Sequence, residues 1–160
     1  MSVNSAVFSN LQSINPSAII ELFTLQLSTS LHGSNDIFRF HAGSSLNANG
    51  EIVWDGDSYL RFPIQVSGFA FQKGQLPRPK MTVSNAGVIP GSGIISAILL
   101  SVNETTAGND LTGATVTRIR TLAKFIDAVN FADNTNATAD PNAEFPREVY
   151  GVDRKSAENR

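Results

Sequence analysis

Short runs of alternating apolar and polar residues, broken by Gly, Pro, Asn and Asp, dominate this chain. Residues 36–41 (DIFRFH) alternate as a short strand. The strongest local signal is residues 51–59 (EIVWDGDSY), where Asp55-Gly56 separates two apolar runs. Asp-Gly tolerates the positive φ angles of a two-residue turn, so the pattern predicts a hairpin with arms at 52–54 and 58–62. In residues 63–72 (PIQVSGFAFQ), Ile64 and Val66 share one face, and after Ser67-Gly68 the phase flips to Phe69 and Phe71. A phase flip at a glycine predicts a β-bulge. Residues 81–84, 115–126 (TVTRIRTLAKFI) and 148–152 read as further strands. Residues 18–27 (AIIELFTLQL) fit two periods: Ile20, Phe23 and Leu27 have helical spacing, while β-branched and aromatic content favours a mostly buried strand.

Helical signals are fewer. Residues 5–12 suit a short helical turn, ended by Asn15-Pro16. Ser92 is placed to cap a helix over residues 94–102, with Ile94, Ile95, Ile98, Leu99 and Val102 on one face. Residues 31–35 (LHGSN), 103–113 and 133–142 (DNTNATADPN) read as a turn cluster and two polar loops. The sum is a β-rich α+β domain: an antiparallel barrel-like or sandwich-like fold with one main helix and long polar loops. Trp54, Phe62, Ile64, Phe69 and Phe125 lie in apolar runs and are its expected core, each worth about 1.5–3 kcal/mol when buried.

Composition narrows the function. Twelve Lys and Arg against 14 Asp and Glu give a formal charge of −2, which is unlike a general nucleic-acid binder. With no cysteine, the chain has no disulfide, no thiolate metal site and no thiol nucleophile. No run approaches the roughly 20 apolar residues of a membrane helix, and the first residues lack the pattern of a secretory signal. The chain therefore reads as soluble, with no membrane partner.

A search for chemistry finds no catalytic set. His32 lies in a loop and His41 at a strand end, neither with a second ligand at metal spacing. Ser44 and Ser45 near His41 are not in a nucleophile elbow. Gly91-Ser92-Gly93 lacks the lysine of a P-loop. Asp55 and Asp57 do not follow the calcium-loop pattern. Trp54 and Tyr59 suit either a hairpin core pair or a sugar platform, so a carbohydrate-binding β module is the alternative from another class. A cell-wall hydrolase fragment lacks its catalytic residues.

Four stretches together resemble a known family: VWDGDSYLRFPIQVSGF (53–69), RPKMTVSN (78–85), KFIDAVNF (124–131) and ADPNAEF (139–145). Their order and spacing are similar to those of the N-terminal domain of minor tail protein L of lambda-type long-tailed bacteriophages. The resemblance covers roughly residues 17–150. It implies a non-enzymatic virion protein at the tail tip or baseplate, part of the host attachment apparatus, assembled in the host cytoplasm. It implies a ring of identical copies between the tail tube and the central fibre or hub. It also implies a division into an N-terminal arm (1–16), a tail-tip domain (17–152) and the start of a C-terminal region (153–160). In the family that region bears cysteines and is associated with an iron–sulfur cluster; the cysteine-free residues here take no such cofactor.

Within that frame the turn GQLPRPK draws the eye. Pro77 and Pro79 restrict their own φ angles and the residues before them, so the turn loses little entropy on binding. Arg78 and Lys80 are then available to acids on a neighbour. The alternative is that the prolines only keep an edge strand from mispairing. Pro77, Arg78, Pro79 and Lys80, with Asn103, Glu104, Asn109 and Asp110 of the long polar loop, are the expected interface.

Overall fold

A computed structural model describes residues 3–43, 47, 50–70, 74–83 and 110–154. Within them, helix α1 (Ser5–Leu11) precedes strand β1 (Ile19–Gln26), the single turn α2 (Thr29–His32) and strand β2 (Ile37–His41). Strands β3 (Glu51–Trp54), β4 (Asp57–Arg61), β5 (Ile64–Ser67) and β6 (Lys80–Val83) follow. Strand β7 (Thr115–Leu122) runs into two short 3-10 turns, Ala123–Phe125 and Ala128–Asn130, and β8 (Glu148–Gly151) comes last. The helix expected over residues 94–102 lies outside the described residues, as do Phe71 and Ser84.

Six strands form one sheet in the order β3-β4-β2-β1-β7-β8, and β5 and β6 form a separate hairpin. The β-rich α+β class therefore holds. One join departs from antiparallel pairing: β2 and β4 run parallel, with Phe40 opposite Leu60 and His41 opposite Arg61. The chain after β2 is long enough to carry β3 past the place where β4 returns.

β1 and β7 pair along eight residues at the centre, from Ile19 opposite Leu122 to Gln26 opposite Thr115. Both faces of this pair are covered. Leu22 and Ile119 join one core with Val7, Ile52, Trp54, Tyr59, Leu122, Phe125 and Ile126. Phe23 and Leu25 join a second with Phe40, Ile64 and Ala114, against which Phe62, Phe69 and Met81 pack. Burial on both faces explains why residues 18–27 lack clean alternation. Of the five expected core residues, Trp54, Ile64 and Phe125 are buried; Phe62 and Phe69 are half-buried at the margin of the second core.

The Asp-Gly hairpin forms as expected, with Trp54 opposite Asp57 and positive φ at Asp55 (52°) and Gly56 (76°). Two residues from the following segment lock it. The Asp127 carboxylate accepts from the amides of Asp55 (3.1 Å) and Gly56 (2.8 Å). Asn130, buried, accepts from Val53 N through Oδ1 (2.7 Å) and donates through Nδ2 to Val53 O (2.7 Å). Its side chain thus pairs with the outer edge of β3 as a neighbouring strand would.

Four expectations change in detail. The strand expected to reach residue 126 ends at Leu122, because the 3-10 turns carry Phe125 and Ile126 into the first core. The turn cluster 31–35 is the end of α2, closed by Gly33 in the left-handed region. The polar loop 133–142 is tied down: Asn136 Nδ2 donates to Lys124 O (2.9 Å) and Ile126 O (2.6 Å), and Thr138 Oγ1 to Lys124 O (2.6 Å). The histidines are interior. His32 Nδ1 accepts from Ser28 N (2.8 Å), which leaves Nε2–H to donate to Thr112 O (3.1 Å). His41 is buried, with Nε2 3.3 Å from Gly50 O and no partner for Nδ1 among the described residues.

Burial lowers the pKa of His41 below the usual histidine value; the hydrogen bond to Gly50 opposes this, and nearby Arg61 adds to it. The unfolded chain then binds the proton more readily than the folded one, so this contribution is present above the unfolded pKa of about 6.5 and is lost as pH falls through it. Urea unfolding should give a stability that declines from pH 7 to pH 5, with a shallower decline in His41→Gln; equal slopes would refute the assignment. Asn130→Ala leaves Val53 N without its partner and Val53 O with only the 3.3 Å bond from Asp127 N, and should cost about 2–4 kcal/mol. A loss below about 0.5 kcal/mol would show that the clasp on β3 does not stabilise the fold.

Candidate assembly surface

The β5–β6 hairpin pairs Ile64 with Val83 through Ser67 with Lys80, and Gly68 then lies against Arg78 and Pro79 on the opposing arm. A glycine makes this approach possible. Its φ is 84°, and a Cβ there would sit 3.1 Å from Arg78 O and 3.4 Å from Pro79 Cα. At the position of the expected β-bulge, β5 ends at Ser67 and Gly68 lies close against the backbone of Arg78 and Pro79. Leu76 is 86% exposed at its tip, and Arg78 and Lys80 also face solvent.

The turn forms one wall of a groove of about 670 Å³; the other wall is β8 and the residues just after it. Phe69, Met81, Val116, Tyr150 and Val152 line its apolar part, and Arg78, Lys80, Asp153 and Arg154 carry its charges. That volume falls within the roughly 300–1,000 Å³ of sites that hold ligands or anchoring side chains.

A cross-strand network supports this lining. Register places Arg118 of β7 opposite Phe23 of β1 and Glu148 of β8. Arg118 pairs with Glu21, and with Glu148 at 3.2 Å, while its guanidinium lies 4.2 Å from the centre of the Phe69 ring. Phe69 in turn meets Tyr150 edge to face at 5.6 Å. Arg120 reaches Glu148 at 2.9 Å and lies over Phe145. Burial works against the Arg118 charge, but Glu21 and Glu148 outweigh it and raise its pKa. Burial, then the charge of Glu148, raises the pKa of the Tyr150 hydroxyl, which donates to Glu148 at 3.2 Å. These charges are partly shielded from water and pair with one another, although Arg118 Nε is buried with no partner among the described residues, and the network's physical effect is to hold Phe69 and Tyr150 in place.

Of the expected interface residues, Pro77, Arg78, Pro79 and Lys80 come together on this groove. Asn103, Glu104 and Asn109 lie outside the described residues. Asp110 begins a tight turn with positive φ at Asp110, Leu111 and Gly113. That turn is drawn inward: Leu111 packs on the second core, and Gly113 N donates to Val152 O at 2.8 Å. Phe69, Arg118, Glu148 and Tyr150 were not expected at the site. Their signal in the sequence is the R-I-R alternation at 118–120 and E-V-Y at 148–150, which acquires meaning only once β7 and β8 are in register.

Trp54 and Tyr59, the alternative sugar platform, are 1% and 3% exposed inside the first core, so they offer no face to a ligand. Among the described residues no group of three or more His, Asp and Glu could hold a metal ion, and no helix is long and apolar enough to cross a membrane. The cysteine-free chain also does not fit an iron–sulfur cluster: its two histidines are held at separate places by backbone groups. What the groove offers is shape, apolar surface and positive charge.

The chain matches the family model described as phage minor tail protein L over residues 30–160. It is 37% identical over 108 residues to tail tip protein L of Escherichia phage lambda. That match takes in 66% of this chain and 41% of the lambda protein, so the chain spans less than half the length of this relative. Three of the four recognisable blocks now have a shared physical basis: VWDG and DAVN are the hairpin and its clasp, and RPK is the turn seated on Gly68. The chain belongs to the phage minor tail protein L family.

Proposed function

We propose that this chain is a structural, non-catalytic part of the phage tail tip, present in the virion as a ring of identical copies between the tail tube and the central fibre or hub. The observation that carries the reading is the groove beside residues 76–80: a stiff, exposed turn next to an apolar lining braced by Arg118 and Glu148. Such a surface suits protein contacts, because preorganised groups lose little entropy on binding. Its titratable groups include no nucleophile paired with a base, so the groove has no evident means of turnover. The partners in this reading are neighbouring copies and the adjoining tail-tip, tube and hub proteins, with no membrane and no specific nucleic acid. Assembly takes place in the host cytoplasm. Residues 17–152 act as the tail-tip domain. The arm 1–16 rests on it through Val7 in the first core and through Asn4, whose Nδ2 donates to Asn142 O at 2.7 Å.

Arginine at an interface often carries much of the binding energy, whereas an exposed lysine pair contributes less than about 1 kcal/mol. Arg78→Ala should therefore lower the yield of complete tails more than Lys80→Ala, with both purified variants melting within a few degrees of the unaltered chain. Electron microscopy of tails from each variant provides the count. Normal assembly with Arg78→Ala would leave the prolines with edge protection as their role.

A further inference from the structure

The groove and the Asp-Gly hairpin lie at opposite ends of one sheet. The strand order puts β3 and β4 at one edge and β8 at the other. The hairpin end is acidic: Asp55 is exposed, Asp57 is half-exposed while paired with Arg39 at 3.1 Å, and Asp127 lies directly against the turn. The groove end is basic: among the described lining residues Arg78, Lys80 and Arg154 stand against Asp153, and the nearby Glu148 is already paired with Arg118 and Arg120. Both ends are stiff. Asp127 fixes the hairpin turn through two amides, and two prolines and Gly68 fix the groove wall.

We infer that the hairpin tip Asp55–Gly56–Asp57 of one copy docks in the groove rimmed by Arg78, Lys80 and Arg154 of the next copy, which makes the contact between copies edge to edge and head to tail. This rests on the ring reading above and names the surfaces that join it. Opposite charge at the two ends selects this arrangement over one between like ends, since two acidic tips or two basic grooves would repel. A contact between two different patches repeats from copy to copy and closes when the rotation allows. The half-exposed Asp57 keeps its bond to Arg39, so Asp55 is the acid placed to meet Arg78.

These 160 residues hold no cysteine, and unaltered tails treated in parallel report any thiol elsewhere in the tail. Ser58→Cys places a thiol beside the tip and Asp153→Cys places one at the groove, both at exposed positions. Phage tails carrying the double variant, treated with a short bismaleimide and run on a denaturing gel, should give a ladder of covalently joined copies. Each single variant should give none. Tails that contain the double variant but yield no ladder would overturn the contact and leave the ring reading standing. Dimers from Ser58→Cys alone would overturn it in favour of a symmetric contact. If the unaltered chain is absent from purified tails, the proposed function itself fails. A charge exchange gives a second reading: Asp55→Lys and Arg78→Asp should each lower the yield of complete tails about tenfold, and the two together should restore most of it. A double variant as poor as the singles would count against the pairing.

Discussion

The pairing of β1 with β7 is the constraint on which the rest of this structure depends. Eight consecutive residue pairs set the register, and Ile20, Leu22, Phe23 and Leu25 of β1 then join one or the other of two cores. A strand covered on both sides must be apolar on both sides or neutralise what is not. Glu21 is the exception on β1, and it is answered by Arg118 across the same join. Arg118 must then be balanced on its other side, by Glu148 of β8. One half-buried acid in the central strand thus propagates into a charge network that ends at the groove, where it holds Phe69 and Tyr150.

The edge strand β3 presents a different problem. An unpaired strand edge invites pairing with another chain. Asn130 answers it by offering its amide to both backbone groups of Val53, and Asp127 does the same for the turn that follows. The hairpin is thereby stiffened and its edge partly closed by side chains. A projecting tip of this kind is suited to contact by side-chain charge, and its β3 edge is less open to indiscriminate strand addition.

The groove is built from stiffness and packing. The prolines stiffen the turn, Gly68 allows the backbone to approach, and the Arg118 network fixes the aromatic lining. None of these groups is poised for proton transfer or nucleophilic attack. Two histidines and a tryptophan that might suggest a site are used in the interior, where His32 ties α2 to the turn at Thr112 and Trp54 fills the first core.

Local chemistry determined a good deal of this protein from its sequence alone. Asp55-Gly56 dictates a two-residue turn because few residue pairs accept two positive φ angles, and the strands at 36–41, 51–54 and 148–151 follow from alternation. The stiffness of Pro77 and Pro79 and the absence of thiol chemistry were equally plain, as were the motif blocks. Only the tertiary structure decided what lies far apart along the chain. Alternation around Gly68 records which side a residue faces, and not how closely the opposing backbone of Arg78 and Pro79 approaches it. The role of Asn130 has no local signal, since its partner Val53 is 77 residues away. A loop place for His32 and a strand-end place for His41 left their burial undecided, because burial is a property of what packs over them. Arg118, Glu148 and Tyr150 became a site only when β7 and β8 came into register, because a pairing between strands is set by the fit of whole faces and not by either strand's own pattern.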